Sequence, residues 1–432
     1  MQADALKKKD SLRMSLLDGI FASGMFGFTQ DYFTPFILAI GATARGVGAL
    51  SAIPNLFASL MQLKSADFTE ISGSRKPIIN IFVFCQALML LPMAVMALTG
   101  WHSVSFFIAA VVLFTSFGAF SGPAWASMMA DLVPTNKRGE YFGWRNKMLG
   151  FLVVGFTFTA GFILNQMRAV NVLYGFAIIF TGAFIFRMIS WYFLTRMYEP
   201  KLEHRREDRF TLLNFLARVK ESNFAKFVLF VAMLNFSVNL ASPFFAVLML
   251  QDLHFSYILY TTITITATLT VFIAMSRWGR HADKVGNLKV LKFTSPIIGI
   301  IPLLWIVSRH PVFLLFAQII SGFAWAGFNL SASNFIYDAV TPGKRTRCIA
   351  YFNVLNGFAL CAGALIGGFL VGKLPPLLGY NILSLFVISS VLRLVVALFG
   401  PMKLKEVRPV EHINSDHLFF SMVGIRPFLK NG

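Results

Sequence analysis

Three ionisable side chains stand deep inside long apolar runs of this sequence, and chemistry is first to be sought there. Asp31 lies well inside the first run. Arg187 and Arg393 lie ten and seven residues, roughly 15 and 10 Å at helical rise, from the ends of the sixth and twelfth runs. Charge in apolar surroundings is expensive unless it meets a partner or a cavity. Gly27, Asp31 and Thr34 share one helical face at i, i+4 and i+7, with Gln30 beside them, and Asn235, Asn239 and Ser242 repeat that stripe in the seventh run. A carboxylate among hydroxyl and amide groups suits the loading and release of a proton; the alternative is that Asp31 simply bonds a neighbouring helix. Trp125, Asn329, Asn353 and Asn356 can hold a solute by stacking and hydrogen bonding, and the same residue types also serve helix packing. Arg187 and Arg393 are open between binding an anion and pairing with backbone carbonyls or a neighbouring polar group.

Enzyme chemistry finds little support. All seven histidines, His102, His204, His254, His281, His310, His412 and His417, fall in connections or the tail. None forms a His-x-x-x-His or paired-carboxylate spacing on a helix, so neither a metal site nor any cofactor is expected. Serine and cysteine nucleophiles have no basic partner at the same depth. Cys85, Cys348 and Cys361 are too few and too scattered for a disulfide framework.

The elements that hold these residues are membrane spans. The chain is 56% hydrophobic and 15% aromatic but only 13% charged, about half the charge of an ordinary soluble domain. A spanning helix needs about 20 mainly apolar residues, and a dozen such runs follow one another. They are predicted at 14–40, 47–66, 77–99, 103–129, 143–167 and 172–197, then at 224–250, 257–278, 290–307, 312–337, 351–371 and 381–400. The segment 198–223 mixes Phe210, Leu213 and Leu216 with Arg218 and Lys220, which suits an amphipathic helix on a membrane surface. The predicted organisation is therefore an N-terminal bundle at 1–197, a linker at 198–223, a C-terminal bundle at 224–400 and a tail at 401–432.

The net charge of +19 would suggest a nucleic-acid partner in a soluble protein, but its distribution argues otherwise. Of the 38 basic residues, 32 fall on the termini and even-numbered connections, 4 on the odd-numbered connections and 2 inside runs. By the positive-inside rule both termini and the linker are cytoplasmic. The charge reports topology and contact with membrane lipids, not nucleic acid.

The two halves repeat each other at an offset of about 207 residues. Thr34-Pro35-Phe36 answers to Ser242-Pro243-Phe244, Asp131 and Arg138 to Asp338 and Arg345, Asn146 to Asn353, and Arg187 to Arg393. Six spans per copy is an even number, so the repeats are parallel. Between the eighth and ninth runs the chain reads Gly279-Arg-His-Ala-Asp283-Lys284-Val-Gly286-Asn-Leu-Lys289. This resembles the loop signature of the major facilitator superfamily; the first-half copy is altered, with Asp67 followed by Gly73, Arg75 and Lys76.

The resemblance implies an all-α membrane protein of twelve transmembrane helices in two parallel six-helix repeats. It also places helices one, four, seven and ten around a central cavity, so that the Asp31 and Asn239 stripes face each other. The duplicated pairs Asp131 with Arg138 and Asp338 with Arg345, together with Asp283, then read as gating residues on the cytoplasmic side. The function expected is secondary transport of a small amphipathic or weakly polar solute across a bacterial inner membrane by a monomer, coupled to protons through Asp31. The alternative is a lipid or lysolipid flippase of the same fold, in which Arg187 and Arg393 attract head groups.

Overall fold

The computed structural model describes residues 2–134, 138–200, 222–340 and 345–407, and its regular elements are helices. In the first half these are α1 (Gln2–Thr29), α2 (Phe33–Ala39), α3 (Ala44–Ser72), α4 (Lys76–Leu88), α5 (Leu90–Thr99), α6 (Val104–Leu132), α7 (Arg138–Met167) and α8 (Val172–Thr195). In the second half they are α9 (Asn223–Asn239), α10 (Phe244–Val247) running into a π-turn at Leu248–Asp252, α11 (Tyr257–Val285), α12 (Asn287–Val307), α13 (Pro311–Ala339), α14 (Arg345–Val371) and α15 (Asn381–Phe399). Helices are imposed by the solvent, because lipid offers no partner to an unpaired backbone group. Among the described residues eleven segments are long and apolar enough to span a membrane. The remaining span is α1 with α2, whose charged start and mid-course break keep it out of that set.

Local chemistry sets the ends. Ser103, Asn171 and Ser222 accept from Phe106 N, Leu173 N and Ala225 N at 3.4, 2.9 and 3.2 Å, capping α6, α8 and α9. Gly73 closes α3 in the left-handed region at φ 63°, where any Cβ would be strained. Several helices outrun the apolar runs at their basic ends: α3 continues to Ser72, α11 to Val285, and α7 begins at Arg138. The linker residues 201–221, the tail from 408 onward and the side chain of Arg345 lie outside the described residues.

The chain divides into two compact units. The first comprises Met1–Arg205, Ser242–Ile265 and Leu360–Lys373; the second comprises Arg206–Ala241, Thr266–Ala359 and Leu374–Gly432. Within the first, α1 packs on α7 and α8, and α4 with α5 packs on α6 and α8. Within the second, α9 packs on α15, and α12 packs on α13 and α15. The repeat seen in sequence is thus a repeat of helix neighbours. Phe33, Phe36, Phe107, Phe114 and Phe180 interlock at centroid distances of 4.6 to 6.3 Å in the first unit, in the edge-on and tilted contacts aromatic quadrupoles favour.

The first span is not the continuous helix the stripe assumed. Pro35 has no N–H to donate to the carbonyl of Asp31, four residues back, and the helix breaks at Gln30–Tyr32. The freed Asp31 carbonyl accepts from Tyr260 Oη at 2.8 Å. Beside it Tyr32 Oη donates to the Thr157 carbonyl at 2.5 Å and lies 2.9 Å from Thr261 Oγ1. Pro243 occupies the equivalent place in the second half, where α9 ends at Asn239 and α10 starts at Phe244.

Candidate functional site

A network of buried charge runs through the first unit. Asp18 on α1 is 5% exposed and Arg187 on α8 is 7% exposed. Arg187 Nη1 donates to Ser190 Oγ at 3.0 Å, and Ser190 Oγ donates to Asp18 Oδ1 at 2.7 Å. Arg187 Nε donates to Gln86 Oε1 on α4 at 2.9 Å. Arg145 on α7 brings Nη2 to 3.9 Å from Asp18 Oδ2 and to 3.0 Å from the Ser15 carbonyl. Its guanidinium also lies 4.8 Å from the centroid of the Trp125 ring, within cation–π range. Five spans therefore converge on one carboxylate and two guanidiniums.

Two cavities meet at this network. One, of ≈ 420 Å³, is lined by Gln30, Thr34, Asn55, Gln86, Thr115 and Arg187 with the rings of Phe26, Phe33 and Phe114. The other, of ≈ 440 Å³, is lined by Asp18, Ser121, Trp125, Arg145, Asn146 and Arg187, and again Phe26. Both are of the size that takes a small organic ligand.

Several sequence expectations gather here and others do not. Gln30, Thr34, Trp125 and Arg187 line the cavities, whereas Asp31 does not. Asp31 is half-buried in the break, and Gly27 faces α7: a Cβ there would lie 2.6 Å from Phe156 Cβ and 2.8 Å from the Val153 carbonyl. The expected single face of Gly27, Asp31 and Thr34 is therefore split by the break. Arg187 is also less deep than expected, because α8 ends at Thr195, eight residues on and roughly 12 Å at helical rise. Within the second unit Asn235 Nδ2 donates to Asn356 Oδ1 at 2.7 Å, and Asn356 Nδ2 to the Phe352 carbonyl at 2.9 Å. Asn239 is buried, Asn353 half-buried and Asn329 exposed.

Arg187 and Arg393, equivalent in the repeat, have different surroundings. Arg393 donates from Nε to Ser389 Oγ at 3.0 Å, from Nη1 to the Ile298 carbonyl at 3.3 Å and from Nη2 to the Val238 carbonyl at 3.0 Å. Pro302 leaves the Ile298 carbonyl without its helical donor, and Val238 stands at the end of α9. Arg393 thus bonds one proline-freed carbonyl and one carbonyl at a helix end, contacts of the backbone-pairing kind that the sequence offered as one alternative.

At the basic ends the expected Asp131–Arg138 pair is replaced. Arg75, fully buried, reaches Asp131 Oδ2 at 2.6 Å, Ser127 Oγ at 3.2 Å and the Pro200 carbonyl at 2.7 Å. Arg138, at the start of α7, turns back to the Ala130 and Val133 carbonyls at the end of α6, where a cation complements the helix dipole. Asp338 accepts from Asn287 Nδ2 at 2.9 Å, and Asp283 is exposed.

Sequence reasoning missed the central group. Neither Asp18 nor Arg145 stands among the residues singled out from the sequence. The available signal was their lack of repeat mates: Ala225 and Phe352 stand 207 residues further on, so these two charges are specific to the first half.

Twelve spans in two repeats, with buried charge beside internal cavities, are the build of a secondary membrane transporter. The chain belongs to the Major Facilitator Superfamily, whose profile matches residues 19–303 and 227–431. The crystal structure of the nucleoside transporter NupG superposes with a TM-score of 0.68 at 14% identity, over 92% of this chain and 100% of that one. A bacterial homologue of the human lysosomal transporter Spinster gives 0.60 at 14% identity over 91% and 96%. The human organic anion transporter MFSD10 gives 0.61 at 15% identity over 91% and 99%. No curated protein sequence matches significantly.

Proposed function

We propose that this chain is a secondary active transporter moving a small, partly apolar solute across the bacterial inner membrane by alternating access, coupled to protons, with both termini in the cytoplasm. It works as a monomer. The observation that carries the reading is the pair of internal cavities, walled by aromatic rings, furnished with a few polar groups and meeting at Arg187. The bodies that rock are the halves 1–197 and 224–400, joined by the 198–223 linker. Asp131, Arg138, Asp283, Asp338 and Arg345 act in closing the cytoplasmic side.

Asp31 is the coupling carboxylate of this reading. It stands in the helix break, and irregular backbone at membrane depth is tolerated only where it is buried in protein or lines water. A carboxylate that is wet in one state and dry in the other changes its proton affinity between them. The test is made in proteoliposomes with an imposed pH gradient, using a solute found by thermal stabilisation across metabolites, drugs and lysolipids. Asp31→Asn is expected to abolish accumulation against a gradient while sparing exchange, because the amide keeps the shape of the protonated acid. Accumulation at the wild-type level in that variant takes the coupling role away from Asp31. If lysolipids alone stabilise the protein, the flippase reading replaces the solute transporter. Its demand for two free arginines sits poorly with Arg393, which is engaged by two backbone carbonyls and a serine.

A further inference from the structure

The geometry points to an anion site at Arg187: the solute carries one negative charge, a carboxylate or sulfonate on an apolar body, and places it on the Arg187 guanidinium beside Gln86. This rests on the transporter reading and adds the charge class of its substrate.

The argument is one of charge balance. Asp18, Arg145 and Arg187 are the charged residues on the two cavity linings, and they sum to one uncompensated positive charge. Asp18 lies 3.9 Å from Arg145 and is bridged to Arg187 by Ser190, so one carboxylate serves two guanidiniums and one positive charge is left over. Of the two, Arg187 is the one that stands on both cavities. Its hydrogen bonds are made by Nε and Nη1; Nη2 donates to no group among the described residues. Arg187 is nonetheless 7% exposed and lines both cavities.

Gln86 extends the site. Its Oε1 accepts from Arg187 Nε, which assigns the amide and leaves Nε2 as a donor. That Nε2 rests over Gly118, where any Cβ would collide with it. Arg187 and Gln86 both line the first cavity, and a guanidinium N–H together with an amide N–H can serve the two oxygens of a carboxylate. Phe26, Phe33, Leu50, Val111 and Phe114 supply the apolar wall, and among the described residues no second cation stands on the first cavity to hold a dianion.

The test uses the purified full-length protein in detergent, with 3-phenylpropionate and benzenesulfonate as probes and 3-phenylpropionamide as the neutral isostere. Both anions are expected to raise the melting temperature of the wild type, and the amide to leave it unchanged. Arg187→Gln is expected to lower anion affinity about tenfold or more, the size of a lost charge-assisted hydrogen bond. Should that variant not fold, Arg187→Lys keeps the charge without the fork, and a weakened but still anion-selective response is expected. The proposal is overturned if neither anion binds, if the amide binds equally well, or if a folded Arg187→Gln protein keeps wild-type affinity. Counterflow in proteoliposomes separates the two readings. Anions that bind through Arg187 but are never moved refute transport and leave the site standing; neutral solutes moved equally by wild type and Arg187→Gln refute the site and leave transport standing.

Discussion

Asp18 and Asp31 are two acidic side chains of one span with opposite circumstances. Asp18 accepts from Ser190 at 2.7 Å and lies 3.9 Å from Arg145, while the bond that holds Asp31 is made to its backbone carbonyl. Removing one partner of a buried ionic network leaves the others uncompensated and costs about 3–5 kcal/mol. Asp18→Asn is therefore expected to lower the unfolding midpoint in detergent strongly, and Asp31→Asn to change stability by about 1 kcal/mol or less. Equal midpoints for the two variants would deny Asp18 its place at the centre of the network. The sequence displayed Asp31, because a carboxylate deep in an apolar run is conspicuous by itself. It could not display the network, since Asp18, Arg145 and Arg187 come from three spans and no periodicity along one chain links them. It displayed Arg187 and Arg393 as equals, and their partners separate them: backbone carbonyls of Ile298 and Val238 for Arg393, Gln86 and Ser190 for Arg187.

Helix ends tell a similar story one scale up. Glu199 and Glu406 stand 207 residues apart, and each caps the start of the third helix of its own repeat. Glu199 accepts from Arg75 N at 2.5 Å, Lys76 N at 3.3 Å and Ser74 Oγ at 2.6 Å; Glu406 accepts from Leu288 N at 2.7 Å. Burial alone would raise the Glu199 pKa, but the bonds from Ser74, Arg75 and Lys76 and the Arg75 charge outweigh it and hold the carboxyl below the usual glutamate range. A depressed folded-state pKa contributes stability that is present above the unfolded value, about 4.3, and is lost as pH falls through the folded value. Glu199→Gln is expected to cost about 1 kcal/mol near pH 7, the size of a lost cap. Denaturant midpoints of variant and wild type should converge below about pH 4; a gap that persists there would mean the capping charge contributes nothing. The apolar stretches of the spans were legible because apolar length is a property of each run alone, whereas the charged ends by which α3, α7 and α11 outrun them were not. Pro35 announces the break at Asp31, but the partner of the freed carbonyl, Tyr260, and the Glu199 cap arrive from distant parts of the chain and left no local sign.

The whole chain is a duplication whose orientation is carried by charge. With 32 basic residues on the termini and even-numbered connections and 4 on the odd-numbered ones, the positive-inside rule predicts the sidedness of every loop. Parity then tests the repeat separately from the rule. His102 follows the third span and His310 the ninth, six spans later, so in a parallel duplication both lie on the same face. Ser72, after the second span, lies on the opposite one. All three positions are exposed, so cysteines placed there are accessible to a reagent without disturbing the packing. The native Cys85, Cys348 and Cys361 are free thiols and are first replaced by serine. In intact cells an impermeant maleimide is expected to label cysteine at positions 102 and 310, and cysteine at 72 only after the membrane is opened. Labelling of 72 alone would turn the molecule over and move Arg75, Asp131 and the Glu199 cap to the outside. Labelling of 102 without 310 would be the graver result, because an odd number of spans between them cannot come from a parallel six-span repeat, and the equivalence of Arg187 with Arg393 would fall with it.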